Sequence, residues 1–208
     1  MLQDINDQIA EIYDTRFSKY GPTPEASMWF SERRQLARFE VIFQQILQFA
    51  KGNSGSISDI GCGYGAFLAY LLNNEAYKKY SYFGYDISCN VIEFCKKNFL
   101  NNGMFYRSAS PKFATDFVIM SGTYNFFPNT CIKTWENYFH NSLQHLWPKA
   151  RSAMIFNLQI SDESLITSSG IVYANKIDVV NFCEKNFGQT TLVRSAKIPS
   201  DLTFTITK

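Results

Sequence analysis

Histidine is nearly absent from this chain: 208 residues hold two, His140 and His145. They are expected on one helix, five positions and so about 140° apart, which excludes a shared metal ion of the i, i+4 kind. Five cysteines, Cys62, Cys89, Cys95, Cys131 and Cys183, are odd in number and form no C-x-x-C pair. Neither a zinc ribbon nor a disulfide framework is expected, and reduced, mostly buried thiols are. Clustered charge is missing too. Twenty basic and 18 acidic residues leave a net charge of +2, with Glu32-Arg33-Arg34 the densest spot. Phosphate backbones are gripped by clustered cations, so no nucleic-acid partner is expected. No apolar run approaches the ~18 residues that span a bilayer. The acidic start, MLQDINDQIAEIYD, offers neither a basic region nor an apolar one of the secretory kind. A cytoplasmic protein without membrane contact is expected. No G-x-S-x-G elbow, internal repeat or low-complexity segment occurs.

Aromatic residues are abundant, with 19 Phe and 12 Tyr in a composition 46% hydrophobic. That supports one domain over residues 1–208, burying about 70% of its unfolded surface. The surplus of rings also suits a pocket walled by them. Apolar spacing predicts a helix over 2–14 (Leu2, Ile5, Ile9, Ile12, Tyr13), a break at Gly21-Pro22-Thr23-Pro24, and a helix over 31–51. Ser31 suits the N-cap of the second. Strands and helices then alternate: strands at 56–60, 82–86, 103–107, 116–120 and 153–158; helices at 64–72, 89–100, 131–147 and 175–186. Two β-branched strands, 190–196 and 202–207, close the chain as an antiparallel pair. The alternation implies an α/β fold with a mostly parallel sheet. Ligands in such sheets sit beyond the C-terminal strand ends. Site residues are therefore sought at Asp86, at 107–110 and at 121–125.

The densest signal is ISDIGCGYGAF, Ile57 to Phe67. Gly61, Gly63 and Gly65 follow a strand and precede a helix, letting a ligand approach bare backbone. Asp86 lies 21 residues after Gly65, near the ~20-residue spacing of a carboxylate that accepts ribose hydroxyls. An adenosine-containing ligand is implied. The run also satisfies G-x-G-x-x-A, so a dinucleotide stays open. Asp59, at the strand end, speaks against a pyrophosphate and for a cationic amine or sulfonium.

Asp59-Ile60-Gly61-Cys62-Gly63-Tyr64-Gly65 resembles motif I, D-x-G-x-G-x-G, of class I, Rossmann-like S-adenosylmethionine-dependent methyltransferases. Gly84-Tyr85-Asp86-Ile87-Ser88 resembles their motif II. The resemblance covers 56–208 and implies a seven-stranded sheet of order 3-2-1-4-5-7-6 with strand 7 antiparallel. It implies that Asp59, Gly61, Cys62 and Gly63 surround the methionyl end of S-adenosyl-L-methionine, that Asp86 holds the ribose, and that Ile87 lies against the adenine. The chain departs from the family where an acid often ends strand 3: Arg107-Ser108-Ala109-Ser110 stands there, leaving Ser108 or a carbonyl to meet the adenine amine. After strand 4 comes Ser121-Gly122-Thr123-Tyr124-Asn125, not N/D-P-P-Y/F, so methylation of exocyclic base amines is not expected. Ser121 and Gly122 are cofactor-side candidates. Tyr124 and Asn125 are candidates to touch the acceptor, and His140 is the better of the two histidines for a general base.

Residues 13–43 resemble the front of a set of uncharacterised bacterial class I methyltransferases with a GPT…W…RFE pattern, which implies that 1–51 form a helical lid over a 52–208 core. Arg38 is expected to fork onto the methionyl carboxylate. Trp29, Tyr20 and Tyr13 are expected to line a pocket, with Leu36, Phe39 and Phe43 facing the sheet. The implied activity is methyl transfer to an O or N atom of a small molecule, by a monomer or weak dimer. The rivals are a nicotinamide-nucleotide oxidoreductase and a non-catalytic S-adenosylmethionine-binding protein.

Overall fold

The computed structural model describes residues 2–29 and 31–208, without the side chains of residues 2 and 3. The expected role of Leu2 in an apolar face lies outside them. Helices α1 (Leu2–Tyr20) and α2 (Glu32–Ala50) flank a 3-10 turn at Pro24–Ser27. Next come β1 (Gly55–Ile60), α3 (Ala66–Leu72), β2 (Tyr80–Asp86), α4 (Cys89–Asn98), β3 (Met104–Arg107) and β4 (Thr115–Met120). The chain ends with α5 (Ile132–Leu146), β5 (Ala150–Ser161), β6 (Leu165–Ile166), β7 (Val172–Asn175), α6 (Lys176–Asn186), β8 (Thr190–Arg194) and β9 (Asp201–Thr207). No helix among the described residues is long and apolar enough to cross a membrane.

Strands β3, β2, β1, β4 and β5 are parallel neighbours, β9 pairs antiparallel with β5, and β8 pairs antiparallel with β9. This is the expected order, with β9 as the antiparallel strand. Alternation along the strands splits the core into two layers. Ile57, Phe117, Ile119 and Ile155 pack with α2, α3 and α4, while Val118, Met120, Met154 and Phe156 pack with Trp135, Phe139 and Leu143 of α5. Each such side chain, fully buried, contributes about 1.5–3 kcal/mol.

Four expectations are corrected. Helix α1 runs to Tyr20 rather than stopping near residue 14, because Phe17 continues its apolar face and meets Phe94. Helix α3 starts at Ala66, with Gly65 as its N-cap, instead of at Tyr64. Leu36 does not face the sheet; it is 41% exposed, whereas Phe39 and Phe43 are buried. It lies roughly 80° from the centre of the α2 stripe. Finally, β6 and β7 went unread. They pair with each other, and β7 extends the sheet from the end of β5, Ile160 opposite Ala174.

Candidate functional site

The sheet order opens a crevice beyond the C-terminal ends of β1, β2 and β4. The glycine turn crosses it. Gly61 and Cys62 donate their amides to the Tyr85 carbonyl at 2.7 and 3.0 Å, and Gly63 donates to Asp86 Oδ2 at 2.9 Å. The Cys95 thiol on α4 reaches the Gly63 carbonyl at 3.3 Å. Gly63 has φ +52°, and a Cβ there would meet only Ser27 Oγ at 3.4 Å. The turn is thus tied to β2 and α4 and open at Gly63, whereas Thr123 covers Gly61 and Phe99 covers Gly65.

Two carboxylates face this turn. Asp59, 1% exposed, accepts from the Tyr82 hydroxyl at 2.5 Å through Oδ2, and its Oδ1 has no partner. Burial pushes its pKa up to about 7, against the Tyr82 hydrogen bond and with help from the negative Asp86. Asp86 also accepts from the Ser88 amide at 2.9 Å. Burial raises its pKa, and amide hydrogen bonds from Ser88, Gly63 and Ile87 pull it back.

A cavity of about 270 Å³ brings most of the sequence candidates together. Asp59, Gly61, Cys62 and Gly63 line it, as do Asp86 and Ile87. Ser108 stands at the β3 end, its hydroxyl donating to the Ser110 carbonyl at 2.8 Å. From the β4 side come Ser121, Gly122 and Tyr124. The Ser121 hydroxyl is buried without a partner. Burial drives the Tyr124 phenol far above its ordinary pKa, so it stays protonated at neutral pH. Cys62 is likewise a thiol, pushed up by a hydrogen bond with Cys95 and by burial.

The front segment closes the cavity from above. Ile9, Tyr13 and Phe17, spaced four apart on one face of α1, line it with Ser27 and Trp29. Asp14 anchors α1 by accepting from the Ser88 hydroxyl and from the Asn90 amide, the latter at 3.1 Å. Tyr138 on α5 donates to Asn6 Oδ1 at 2.8 Å.

Three candidates and one aromatic lie elsewhere. His140 is corrected as the better-placed histidine: its ring stacks on Phe182, centroids 3.6 Å apart, and it lines neither cavity. His145 lines the first cavity. With its Nδ1 on the Asn141 carbonyl at 2.7 Å, its Nε2 is left able to accept a proton. Tyr20 is 38% exposed under Arg16 and Lys19, outside both cavities.

Arg38 and Asn125 line a second cavity, of about 330 Å³, that shares Tyr13, Ser27, Trp29 and Gly122 with the first. Arg38 spends its Nε, at 2.9 Å, and its Nη2 on Asp201, a pair only 3% and 1% exposed. Burial lowers its pKa to about 10 and Asp201 opposes the fall, so it remains charged at neutral pH. Its guanidinium lies 4.0 Å over the Trp29 ring. A Cβ at Gly122 would meet Nη1 at 2.6 Å, so this close approach requires glycine. The wall opposite is the unread β6–β7 segment, which supplies Thr167, Ser169, Ile171 and Tyr173.

Comparison with known proteins follows the same outline. Residues 32–163 match a family model described as a methyltransferase domain. Rv1506c of Mycobacterium tuberculosis, named provisionally as a methyltransferase, is 27% identical over 139 residues, 65% of this chain and 82% of its own length. Among solved structures, a SAM-dependent methyltransferase from Leishmania major superposes with a TM-score of 0.68 at 12% identity, covering 94% of this chain and 81% of that one. Magnesium protoporphyrin IX methyltransferase from Synechocystis PCC 6803 with bound SAM gives 0.60 at 14% identity, covering 85% and 80%. The complex of DhpI with SAH gives 0.61 at 14% identity, covering 97% and 95%. At these identities the structures are alike in fold, a Rossmann-like one.

Proposed function

This chain belongs to the methyltransferase-domain family, and from that premise we propose that it methylates an oxygen or nitrogen of a small molecule, with S-adenosyl-L-methionine as donor. One observation carries this reading. Asp59 and Asp86 line a single cavity with a glycine turn that is open at Gly63, and one oxygen of Asp59 is buried without a partner. Two carboxylates repel a pyrophosphate and attract an ammonium or sulfonium, which favours this donor over a nicotinamide dinucleotide.

Bound there, S-adenosyl-L-methionine supplies an electrophilic methyl carbon: the acceptor's lone pair forms the new bond, the sulfur keeps the pair of the broken one, and the acceptor gives up a proton. The chain's own residues bind, orient and exclude water. Asp59 offers its unpartnered oxygen to the donor's positive charge, and Asp86 offers its remaining lone pairs to ribose hydroxyls. Ile87 packs against the base, whose amine is met by Ser108 in place of an acid. Ser121 supplies an unspent hydroxyl. Helix α1 and the turn at Pro24–Ser27 act as a lid, held down through Asp14 and Asn6, whereas α2, expected to belong to that lid, packs Phe39, Ile42, Phe43 and Ile46 into the core beside β1 and β4. The Tyr124 phenol, held protonated by burial, is no general base, and His145, whose Nε2 is free to accept, is the histidine on the cavity wall.

A calorimetric titration tests this. S-adenosylhomocysteine is expected to bind one to one with micromolar affinity and NAD to give no saturable heat. Tighter binding of NAD, or no binding of S-adenosylhomocysteine, overturns the reading.

A further inference from the structure

The second cavity touches the first through Tyr13, Ser27, Trp29 and Gly122, and resting on the function proposed above, we propose that it receives the acceptor and that the acceptor carries an oxyanion, a carboxylate or a phosphate. Charge is the first ground. The ionisable residues lining this cavity include Arg34 and Arg38 and, among the described residues, no carboxylate. The first cavity has the opposite character, with Asp59 and Asp86 in its wall. Donor and acceptor chambers thus differ in sign.

Unspent donors are the second ground. Asn125 is 7% exposed, and its Oδ1 accepts from the Gln159 amide at 3.2 Å. That bond fixes the orientation of the side-chain amide and leaves Nδ2 buried without a partner. A buried donor of this kind costs about 1–3 kcal/mol until something accepts from it. The Arg34 guanidinium is in no ion pair or side-chain hydrogen bond among the described residues, because its contact with Ser31 runs through the backbone amide. Arg38 keeps Nη1 beyond the fork that holds Asp201.

Placement is the third. Ser31, N-cap of the 19-residue α2, also lines the cavity, and the start of a long helix favours an anion. Val172 donates its amide to the Asn125 carbonyl at 3.0 Å, and Phe127 donates to Gly170 at 2.8 Å. These bonds hold the β6–β7 segment against the loop after β4. Thr167 and Ser169 therefore stand on the wall of a chamber that already carries Arg34 and Asn125; their hydroxyls bond to each other at 3.0 Å, which leaves one hydroxyl hydrogen to donate. An oxyanion seated there has guanidinium, amide and hydroxyl donors around it, and the rest of its molecule extends past Trp29 toward the donor chamber.

Trp29 belongs to both walls, so its indole N–H signal reports on the site. Protein saturated with S-adenosylhomocysteine is titrated with benzoate, phenyl phosphate and benzamide, following that signal by nuclear magnetic resonance after assignment with Trp29→Phe. At least one anion is expected to bind ten-fold or more tighter than the neutral amide, and the tighter anion identifies the source. Arg34 is exposed, so Arg34→Gln folds, and it is expected to weaken the anion about 10-fold or more while leaving S-adenosylhomocysteine affinity unchanged. Equal binding of benzamide, persistence of the preference in Arg34→Gln, or no response of Trp29 to any probe overturns the proposal. If S-adenosylhomocysteine itself fails to bind, the parent reading falls separately, and the same titration on the unloaded protein still decides whether the chamber selects anions.

Discussion

Replacing Asp59 by Asn removes a buried charge while keeping its shape, and the consequence is a change of slope with pH. In the folded protein Asp59 holds its proton up to about pH 7, against an ordinary value of 3.8. The folded state therefore binds this proton more tightly than the unfolded chain. The Asp59 contribution to stability is greatest below about pH 4 and falls as pH rises toward 7, above which the loss is complete. The slope reaches about 1.4 kcal/mol per pH unit, roughly 4 kcal/mol over the whole window. Asp59→Asn loses this component, although Asp86, also raised by burial, keeps one of the same sign. Asn Nδ2 takes the place of an oxygen that has no partner, which adds a pH-independent offset, so the slope is the readout. Urea unfolding at half-unit steps from pH 4.5 to 8 is expected to show wild-type stability declining more steeply than that of Asp59→Asn. Binding runs the other way. Only ionised Asp59 attracts the donor's cationic groups, so wild-type affinity for S-adenosylhomocysteine is expected to rise up to ten-fold per unit below pH 7 and to flatten above it. Parallel stability curves for the two proteins would refute the reasoning.

Asp86→Ala removes the acceptor for the Gly63 and Ser88 amides as well as the ribose contact; calorimetry should show a loss of about 1–3 kcal/mol in S-adenosylhomocysteine binding. Arg38→Ala or Asp201→Ala leaves a buried charge alone and should cost about 3–5 kcal/mol in chemical unfolding, whereas the double variant Arg38→Met, Asp201→Leu should recover most of it. Asp14→Ala deletes the bonds from α1 to Ser88 and Asn90; hydrogen exchange should show α1 amides opening faster, by about a factor of five to ten for ~1 kcal/mol, with β1 and β4 unaffected.

What could be read in advance divides by distance along the chain. Asp59, Gly61, Gly63 and Asp86 belong to short runs whose strand-turn-helix setting is local, so their convergence on one cavity was legible. The existence of the five parallel strands was legible too, because each carries its own apolar run, whereas their order came only from the resemblance of the glycine motif to the methyltransferase family. The β6–β7 segment was not legible. Its strands have two and four residues, too few for periodicity to register, and they exist by pairing with each other and with the end of β5. Arg38 looked free because its partner, Asp201, lies 163 positions away. The histidines failed for a related reason: a helix wheel separates His140 from His145, but only the packing of α5 and α6 decides that the first meets Phe182 and the second meets the cavity. The lining face of α1 was half visible, since Ile9 and Tyr13 mark it and Phe17 extends it by one more turn.

A crystal structure of the protein with S-adenosylhomocysteine tests the central claim most directly. The account expects ribose hydroxyls within hydrogen-bond distance of Asp86, the homocysteine amine toward Asp59 and the backbone of Gly63 against the ligand. A ligand bound elsewhere, with Asp59 and Asp86 facing only protein, would contradict it.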